Sequence, residues 1–335
     1  CCDLGCQGAS PRVSSPRLRR MAYSGSADKA VLYLAERVLD DEWVAAHDDI
    51  AYYFKAPMAF VEAGRLEDAG RVLDVAAKYI ESGGAGSGIA ALSSQFPHYP
   101  WMWMCWAATR LGREELARVC FEKVSTYVHP SSGSGLAIAP YHEGAAFEAD
   151  FFATAEVVKV ALLQGRSDVA EASADMLLWV LQTNRSNMME GRFQLRWTGL
   201  SSADFALMAD ADPLHCVLQG QPGQLYFMMA FPAMVLLELA HLANESKAAT
   251  YRAGASELLD YLKRCAGVLE SPWSHKFGRA AAMAGDKDTA ISICDFFLSR
   301  QHPIGNYQDD PEAMDSVDQT AELAVWLRQI QQDLA

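Results

Sequence analysis

Side chains able to move protons or hold a polar ligand recur in this 335-residue sequence at one kind of place, the start of apolar helical segments. Asp49, Tyr53 and Lys55 open the segment 50–63, and His98, Tyr99 and Trp101 stand at the start of 101–111. His142, Glu148 and Asp150 lead into 151–164, Gln221, Gln224 and Tyr226 into 224–243, and His275 and Lys276 into 275–284. Asp318, Gln319 and Glu322 fall in the first turns of 317–334. Carboxylates placed with a His or Tyr can donate and accept protons in a reaction, and a pair of carboxylates suffices for glycoside hydrolysis. The interleaved rings offer faces for a flat or ring-shaped ligand. The expected catalytic set is therefore Asp49, Glu148, Asp150 and Asp318, with His275 or His142 as the proton carrier. The expected substrate-binding set is Tyr53, Lys55, His98, Tyr99, Trp101, His142, Gln221, Gln224, Tyr226, Lys276, Gln319 and Glu322. Simpler roles compete: Asp49 and Asp318 as helix caps, Trp103 and Trp106 as core, His215 and His241 as structural histidines. Glu322 is harder to set aside, because its helix otherwise reads Ala, Leu, Ala, Val and Trp.

What must position these residues is written in a repeated phrase. "GRLEDA" at Gly64 returns as "GREELA" at Gly112, "GRSDVA" at Gly165 and "GDKDTA" at Gly285. In each, the glycine suits the left-handed residue that ends a helix, the acid three residues on complements the positive start of the next helix, and the alanine lets two helices approach. Each phrase is thus a helical-hairpin turn, and its charges need no catalytic explanation. Segments before the turns are apolar on most faces and read as inner helices, whereas 69–81, 114–127, 168–182 and 289–300 mix charges into the pattern and read as outer ones. A degenerate fifth turn, "NESKAA", joins 224–243 to 251–265, and the first helix (28–46) and last (317–334) are orphans that can pair with each other. Six inner and six outer helices then close into an all-α (α/α)6 toroid. The alternative is an open solenoid, but turn spacings of 48, 53 and 120 residues are too long and irregular for a 34-residue repeat.

With "YYFKAP" before the first turn, "GQPGQLYF" opening the fourth inner helix, "SPWSHKFGRAAA" the fifth and "DQTAELAVWL" in the sixth, the chain resembles the alpha-toroid superfamily of six-hairpin glycosidase-like and terpenoid cyclase-like proteins. The resemblance covers about residues 28–334 and implies a toroid with a central cavity. Cyclase repeats of the QW type and a DxDD motif are missing, and "DADP" at Asp210 only echoes the latter.

In such a ring the short turns close one end, so the longer connections (81–100, 128–150, 184–223 and 301–317) mark the open mouth, where the polar residues above lie. Within 184–223, "RFQLRWT" alternates as a strand that "HCVLQG" could pair with, giving a β-hairpin lid near 192–220 over the cavity.

Composition narrows the partners. A net charge of −14, with 42 acidic against 28 basic residues, opposes nucleic acid. Of eight cysteines, none in a CxxC pair, Cys1, Cys2 and Cys6 crowd the N-terminus while the other five are scattered in apolar stretches and read as core residues, which fits a reducing compartment. No HxH, HExxH, GxSxG or phosphate loop is present, so neither metal nor cofactor is expected. The apolar run 225–243 contains Pro232, Glu238 and His241 and reads as a buried helix, not a membrane span. Residues 1–25, rich in Arg, Ser and Pro, read as a disordered leader or transit-like segment before a single domain at 26–335, with Met21 an equally good start. The location is then cytoplasmic, or organellar if 1–20 is a transit remnant. The function expected is acid-base chemistry on a small cyclic substrate, a sugar or uronic-acid derivative, by a hydrolase, lyase or epimerase. A terpenoid cyclase-like enzyme using Tyr53, Trp101, Tyr226 and Trp273, and a non-catalytic helical scaffold, are the alternatives.

Overall fold

Gly64, Gly112, Gly165 and Gly285 take φ of 75°, 69°, 67° and 80° in the computed structural model, which describes residues 16–81, 96–128, 136–137, 148–199, 205–208, 212 and 214–335. Each ends a helix in the same way. The amide of the residue after the glycine donates back across six residues: Arg65 to the Phe60 carbonyl, Arg113 to Ala108, Arg166 to Ala161 and Asp286 to Ala281, at 2.8–2.9 Å. This 6→1 bond satisfies a carbonyl that the helix end would otherwise orphan. The alanines of the phrase, Ala69, Ala117, Ala170 and Ala290, are all buried where the two helices meet, and its acids Glu67, Glu115, Asp168 and Asp288 are exposed. At the fifth turn Asn244 replaces the glycine device with a cap, accepting from the Lys247 amide at 3.1 Å.

Among the described residues the chain forms thirteen α-helices with a few short antiparallel strands, an all-α protein. They are α1 (Pro16–Val38), α2 (Asp41–Ala46), α3 (Ala56–Glu62), α4 (Leu66–Glu81), α5 (Tyr99–Arg110), α6 (Glu114–Ser125), α7 (Phe151–Leu163), α8 (Ser167–Met189), α9 (Phe227–Ala240), α10 (Glu245–Lys263), α11 (His275–Met283), α12 (Lys287–Arg300) and α13 (Met314–Asp333). The hairpins α3/α4, α5/α6, α7/α8, α9/α10 and α11/α12 pack as pairs, and α1 packs on α13. Within each pair one helix is apolar nearly throughout: every residue of α7 from Phe151 to Ala161 is buried. Its partner buries one stripe, as α6 does with Ala117, Cys120 and Val124. The apolar members also touch one another in sequence, α3 with α5, α5 with α7, α7 with α9, α9 with α11 and α11 with α13, and α13 returns to α3.

Three expectations change. The helical domain begins before residue 26: α1 starts at Pro16, and Tyr23 is buried with its hydroxyl donating to Asp295 at 3.0 Å. The first helix is also divided, because Asp40 caps a separate α2 by accepting from the Trp43 amide at 2.7 Å. The expected hairpin exists in part: β3 (Arg192–Gln194) pairs with β6 (Cys216–Leu218), Phe193 opposite Val217. The rest of "RFQLRWT" leaves it. There β4 (Arg196–Thr198) joins a second sheet in the order β1 (Leu136–Ala137), β2 (Glu148–Asp150), β4, β5 (Ala206–Leu207). Phe193 packs on Phe151 and Tyr261, and Asn184 of α8 bonds both backbone groups of Gln194, so these strands brace α7, α8 and α10. No described strand residue lines the pocket described below, and residues 200–204, 209–211 and 213 of the expected lid lie outside the described residues.

The apolar run 225–243 contains α9, of whose fourteen residues all but Phe227 and Glu238 are buried, and no described helix is long and apolar enough to cross a membrane. Cys105, Cys120, Cys216, Cys265 and Cys294 are buried, and Cys105, Cys120, Cys265 and Cys294 form no disulfide.

Candidate functional site

The N-terminal ends of the six apolar helices, or the residues just before them, meet around one pocket of 180 Å³. Lys55 precedes α3, Phe96 and Tyr99 come from the start of α5, Phe152 from α7, Phe227 from α9, Trp273, His275 and Lys276 from α11, and Asp315, Asp318, Gln319 and Glu322 from α13. Aromatic rings wall it, and charged groups form its base.

Glu322 is the hub. Its carboxylate accepts from Lys55 Nζ at 2.6 Å, Tyr99 OH at 3.1 Å, Trp326 Nε1 at 3.1 Å and Lys276 Nζ, and His275 Nε2 stands 3.1 Å away. Burial alone would raise its pKa, but Lys276, Lys55 and His275 outweigh burial and hold it well below the ordinary carboxylate value. It is a permanent anion.

Asp318 lies one turn nearer the mouth on the same face of α13. Lys55 Nζ donates to its Oδ2 at 2.7 Å, while its Oδ1, buried, has no hydrogen-bond partner. Burial raises this carboxyl; Lys55 pulls it down and the Glu322 charge adds to the rise, leaving it at about 6. A buried carboxylate oxygen without a donor is costly, and it marks a place where an incoming hydroxyl or a proton is satisfied.

The two lysines differ. Burial disfavours the charge on Lys55, but Asp318 and Glu322 outweigh it and its pKa is raised. For Lys276 burial wins, opposed by Glu322 and reinforced by the neighbouring Lys55 ammonium, so its pKa falls below the usual lysine value. His275 is held below its ordinary value, by burial first, with Glu322 opposing and Lys276 assisting.

Seven of the expected catalytic and binding residues therefore meet, Lys55, Tyr99, His275, Lys276, Asp318, Gln319 and Glu322, together with Trp273, named for the cyclase-like alternative. Asp318 does not cap α13, which starts four residues earlier at Met314. The others go elsewhere. Asp49 caps a 3-10 turn (Ile50–Tyr52), accepting from the Ala51 amide at 2.9 Å. Asp150 caps α7 through the Ala153 amide at 2.9 Å, and Arg196 joins it (3.6 Å) to Glu148 (3.1 Å). These three carboxylates hold local structure and do not line the pocket. Tyr53 and Tyr226 spend their hydroxyls on the carbonyls of His47 (2.5 Å) and Ala266 (2.7 Å). Gln224 is tied to the Leu218 backbone and to the carbonyl of Gln221, which is itself exposed. Trp101 is half-buried away from the pocket beneath Lys123, 6.0 Å from its ring. Tyr53, Trp101, Gln221, Gln224 and Tyr226 do not line this pocket, and the polar side-chain groups of Tyr53, Gln224 and Tyr226 bond to backbone carbonyls instead. His142 lies outside the described residues.

His98 sits beside the pocket without lining it. Its Nδ1 pairs with Glu156 Oε2 in complete burial, leaving His98 Nε2 and Glu156 Oε1 without partners. Glu156, together with the wall residues Phe96, Phe152 and Phe227 and the acid Asp315, was not among the sequence candidates. Glu156 carried the same signal as Glu322, one acid inside an otherwise apolar inner helix. The phenylalanines carried none, since their pattern is that of any core residue.

A larger groove of 590 Å³ lies on the outside between α8 and α10, but its charges already serve each other, as Arg185 and Glu257 do at 2.9 Å. Among the described residues no three His, Cys, Asp or Glu side chains gather as metal ligands. Fold and site together define an all-α protein with a buried ionic hub under an aromatic-walled pocket. Compared with protein-family models, curated protein sequences and solved structures, the chain finds no match in any of the three.

Proposed function

We propose that this chain is an (α/α)6 toroid enzyme whose polar well takes one small hydroxylated ring, a sugar or uronic-acid derivative, and moves a proton on it. The circuit of apolar-helix contacts, with α13 returning to α3 and α1 covering α13, supports the ring. A well of 180 Å³ holds about six waters at ~30 Å³ each, which suits a single small ring. Phe96, Phe152, Phe227 and Trp273 supply flat faces for it, and helix N-termini directed at the well favour a ligand bearing negative charge.

The observation that carries the chemistry is Asp318: a carboxyl poised at about 6, with one oxygen fixed by Lys55 and the other unpartnered. Proton transfer is most efficient when the pKa lies near working pH. Asp318 is then the acid-base residue, Glu322 the fixed anion that orients Lys55, Tyr99 and Lys276, and His275 the relay behind them. Hydrolysis, elimination and epimerisation all begin with such a transfer. The isoprenoid reading has less support, because Lys276 Nζ already lies 4.8 Å from the Phe227 centroid and Lys55 Nζ 5.1 Å from that of Tyr99, on the faces a carbocation would need. A purely structural scaffold leaves the bare oxygen of Asp318 unaccounted for.

The test is to incubate the protein with aldoses, uronic acids and aryl glycosides in deuterated water, following deuterium uptake and product by mass. Wild-type protein is expected to alter at least one class, and Asp318→Asn to lower the rate by about 100-fold or more while keeping its helical content. If wild-type protein alters none of them and none raises its melting temperature, or if Asp318→Asn turns over normally, the proposal fails.

A further inference from the structure

We infer that Lys276 is a nucleophile that forms an imine with the carbonyl group of the ligand, because its amine sits at the base of the pocket among aromatic rings with a proton acceptor fixed beside it. This rests on the reading of the pocket as a sugar site and narrows the ligand to one presenting an aldehyde or ketone, such as an open-chain aldose, ketose or keto acid.

Lys276 Nζ has rings on several sides, Phe227 at 4.8 Å, Tyr99 at 5.5 Å, Phe152 at 5.7 Å and Trp326 at 5.9 Å from their centroids. The charged and titratable groups facing it are Glu322 and Asp318 from α13, Lys55 before α3, Tyr99 of α5, Glu156 of α7 and its neighbour His275. An ammonium so enclosed, beside a second ammonium, gives up its proton more readily than one in water. The recipient is defined by geometry. In the neutral tautomer that donates Nδ1–H to the Pro272 carbonyl at 3.2 Å, Nε2 is left as an acceptor 3.3 Å from Lys276 Nζ, and Glu322 Oε1, 3.1 Å from the same nitrogen, favours its protonated form. Once protonated there, His275 has Glu322 at 3.1 Å as its counter-charge. Lys55, by contrast, is held as an ammonium between two carboxylates and has no such outlet.

The step balances. Lys276 passes one proton to His275 Nε2, and the freed lone pair forms a C–N bond as the carbonyl π pair moves to oxygen. That oxygen takes the proton of Asp318, whose carboxylate then removes one proton from the nitrogen. His275 returns its proton to the hydroxyl, which leaves as water while the nitrogen lone pair closes C=N. The iminium draws electrons from the adjacent carbon, so that a C–H there becomes acidic enough for Asp318 to exchange once the proton it took from the nitrogen has passed to solvent.

Wild-type protein is incubated at pH 7 with dihydroxyacetone or glyceraldehyde, quenched with sodium borohydride, and its peptides are mapped by mass. A reduced three-carbon adduct on Lys276 is expected at least tenfold above that on the exposed Lys29, Lys78 and Lys287. His275→Asn, with its fold checked by circular dichroism, is expected to trap about tenfold less. Labelling of Lys276 no higher than that of the exposed lysines overturns the inference, and trapping unchanged in His275→Asn overturns the assigned proton path. If trapping fails while Asp318-dependent turnover of sugars persists, only the imine is wrong; if wild-type protein turns over nothing, the sugar reading itself is lost.

Discussion

Glu238 and Glu322 each anchor a cluster of cations between packed helices, and their surroundings differ in a way that separates structure from chemistry. Glu238 of α9 receives Lys159 Nζ on both oxygens, at 2.9 and 2.8 Å, with Arg279 at 3.7 Å and Asp333 beyond it at 3.3 Å from the same arginine. Lys159 also sits over Trp106, 4.4 Å from the ring centroid. Burial pushes Glu238 up, yet Lys159 and Arg279 outweigh it and the carboxyl ends below its ordinary value. Glu322 is held low by the same arithmetic. Between them Trp103, Trp106 and Trp326 pack with centroids 5.4–5.8 Å apart, and Trp326 donates to Glu322. What Glu238 lacks is a second carboxylate with an idle oxygen, and it lines neither the well nor the outer groove. A buried ion pair is therefore no functional signal by itself; the opening and the unsatisfied neighbour are.

That contrast can be broken most forcefully by removing each hub. Glu322→Ala and Glu238→Ala both strand buried cations and are each expected to lose about 3–5 kcal/mol in urea unfolding. Only the first should also abolish ligand-induced stabilisation at temperatures where both variants remain folded. Equal loss of binding in the two would erase the distinction.

The next effect is one of pH. Asp318 has its folded pKa raised from 3.8 to about 6, so the native state binds more protons than the unfolded chain between those values. Its contribution to stability is full below pH 3.8 and is lost as pH rises through 6. Asp318→Asn lacks that loss, so its stability relative to wild type should improve between pH 4 and 7 by up to about 3 kcal/mol. A pH-independent difference in melting would show that the carboxyl is not perturbed.

Replacing Lys159 and Glu238 together by Met and Leu tests the other side. Apolar groups of similar size substitute for a closed ion pair at little cost, and the double variant should lie within about 2 kcal/mol of wild type with turnover unchanged. Arg279 keeps Asp333 as its partner in that variant. A large loss of activity would give the closed cluster a role in the chemistry.

The smallest effect is expected at Asp150, demoted here to a cap. Asp150→Ser, which preserves an N-capping oxygen, should cost about 1 kcal/mol or less and leave turnover intact. A hundredfold loss of turnover would restore it to the site.

The polar residues that went astray explain how far a sequence reading reaches. Gln224, Tyr226 and Tyr53 stand at helix starts just as His275 and Lys276 do, and they bear equally capable groups. Their partners are backbone carbonyls of Leu218, Ala266 and His47, and nothing in residue type distinguishes a donor aimed at a carbonyl from one aimed at a cavity. Asp150 and Asp318 are likewise both acids near the start of an apolar helix. Asp150 is the residue before α7 and reaches its free amides, whereas Asp318 is a turn inside α13, where every amide is already bonded within the helix.

The sequence by itself determined the hairpins and their two-sided character. A glycine at positive φ, a buried alanine and an apolar or striped segment act over a few residues, and their physics is complete within that span. The tertiary structure decided which charges meet. Lys55 reaches Asp318 across 263 residues of chain and Glu322 across 267, and Tyr99 reaches Glu322 across 223. The pKa values follow from that meeting: desolvation and neighbouring charge exist only once the helices have brought these groups together out of water.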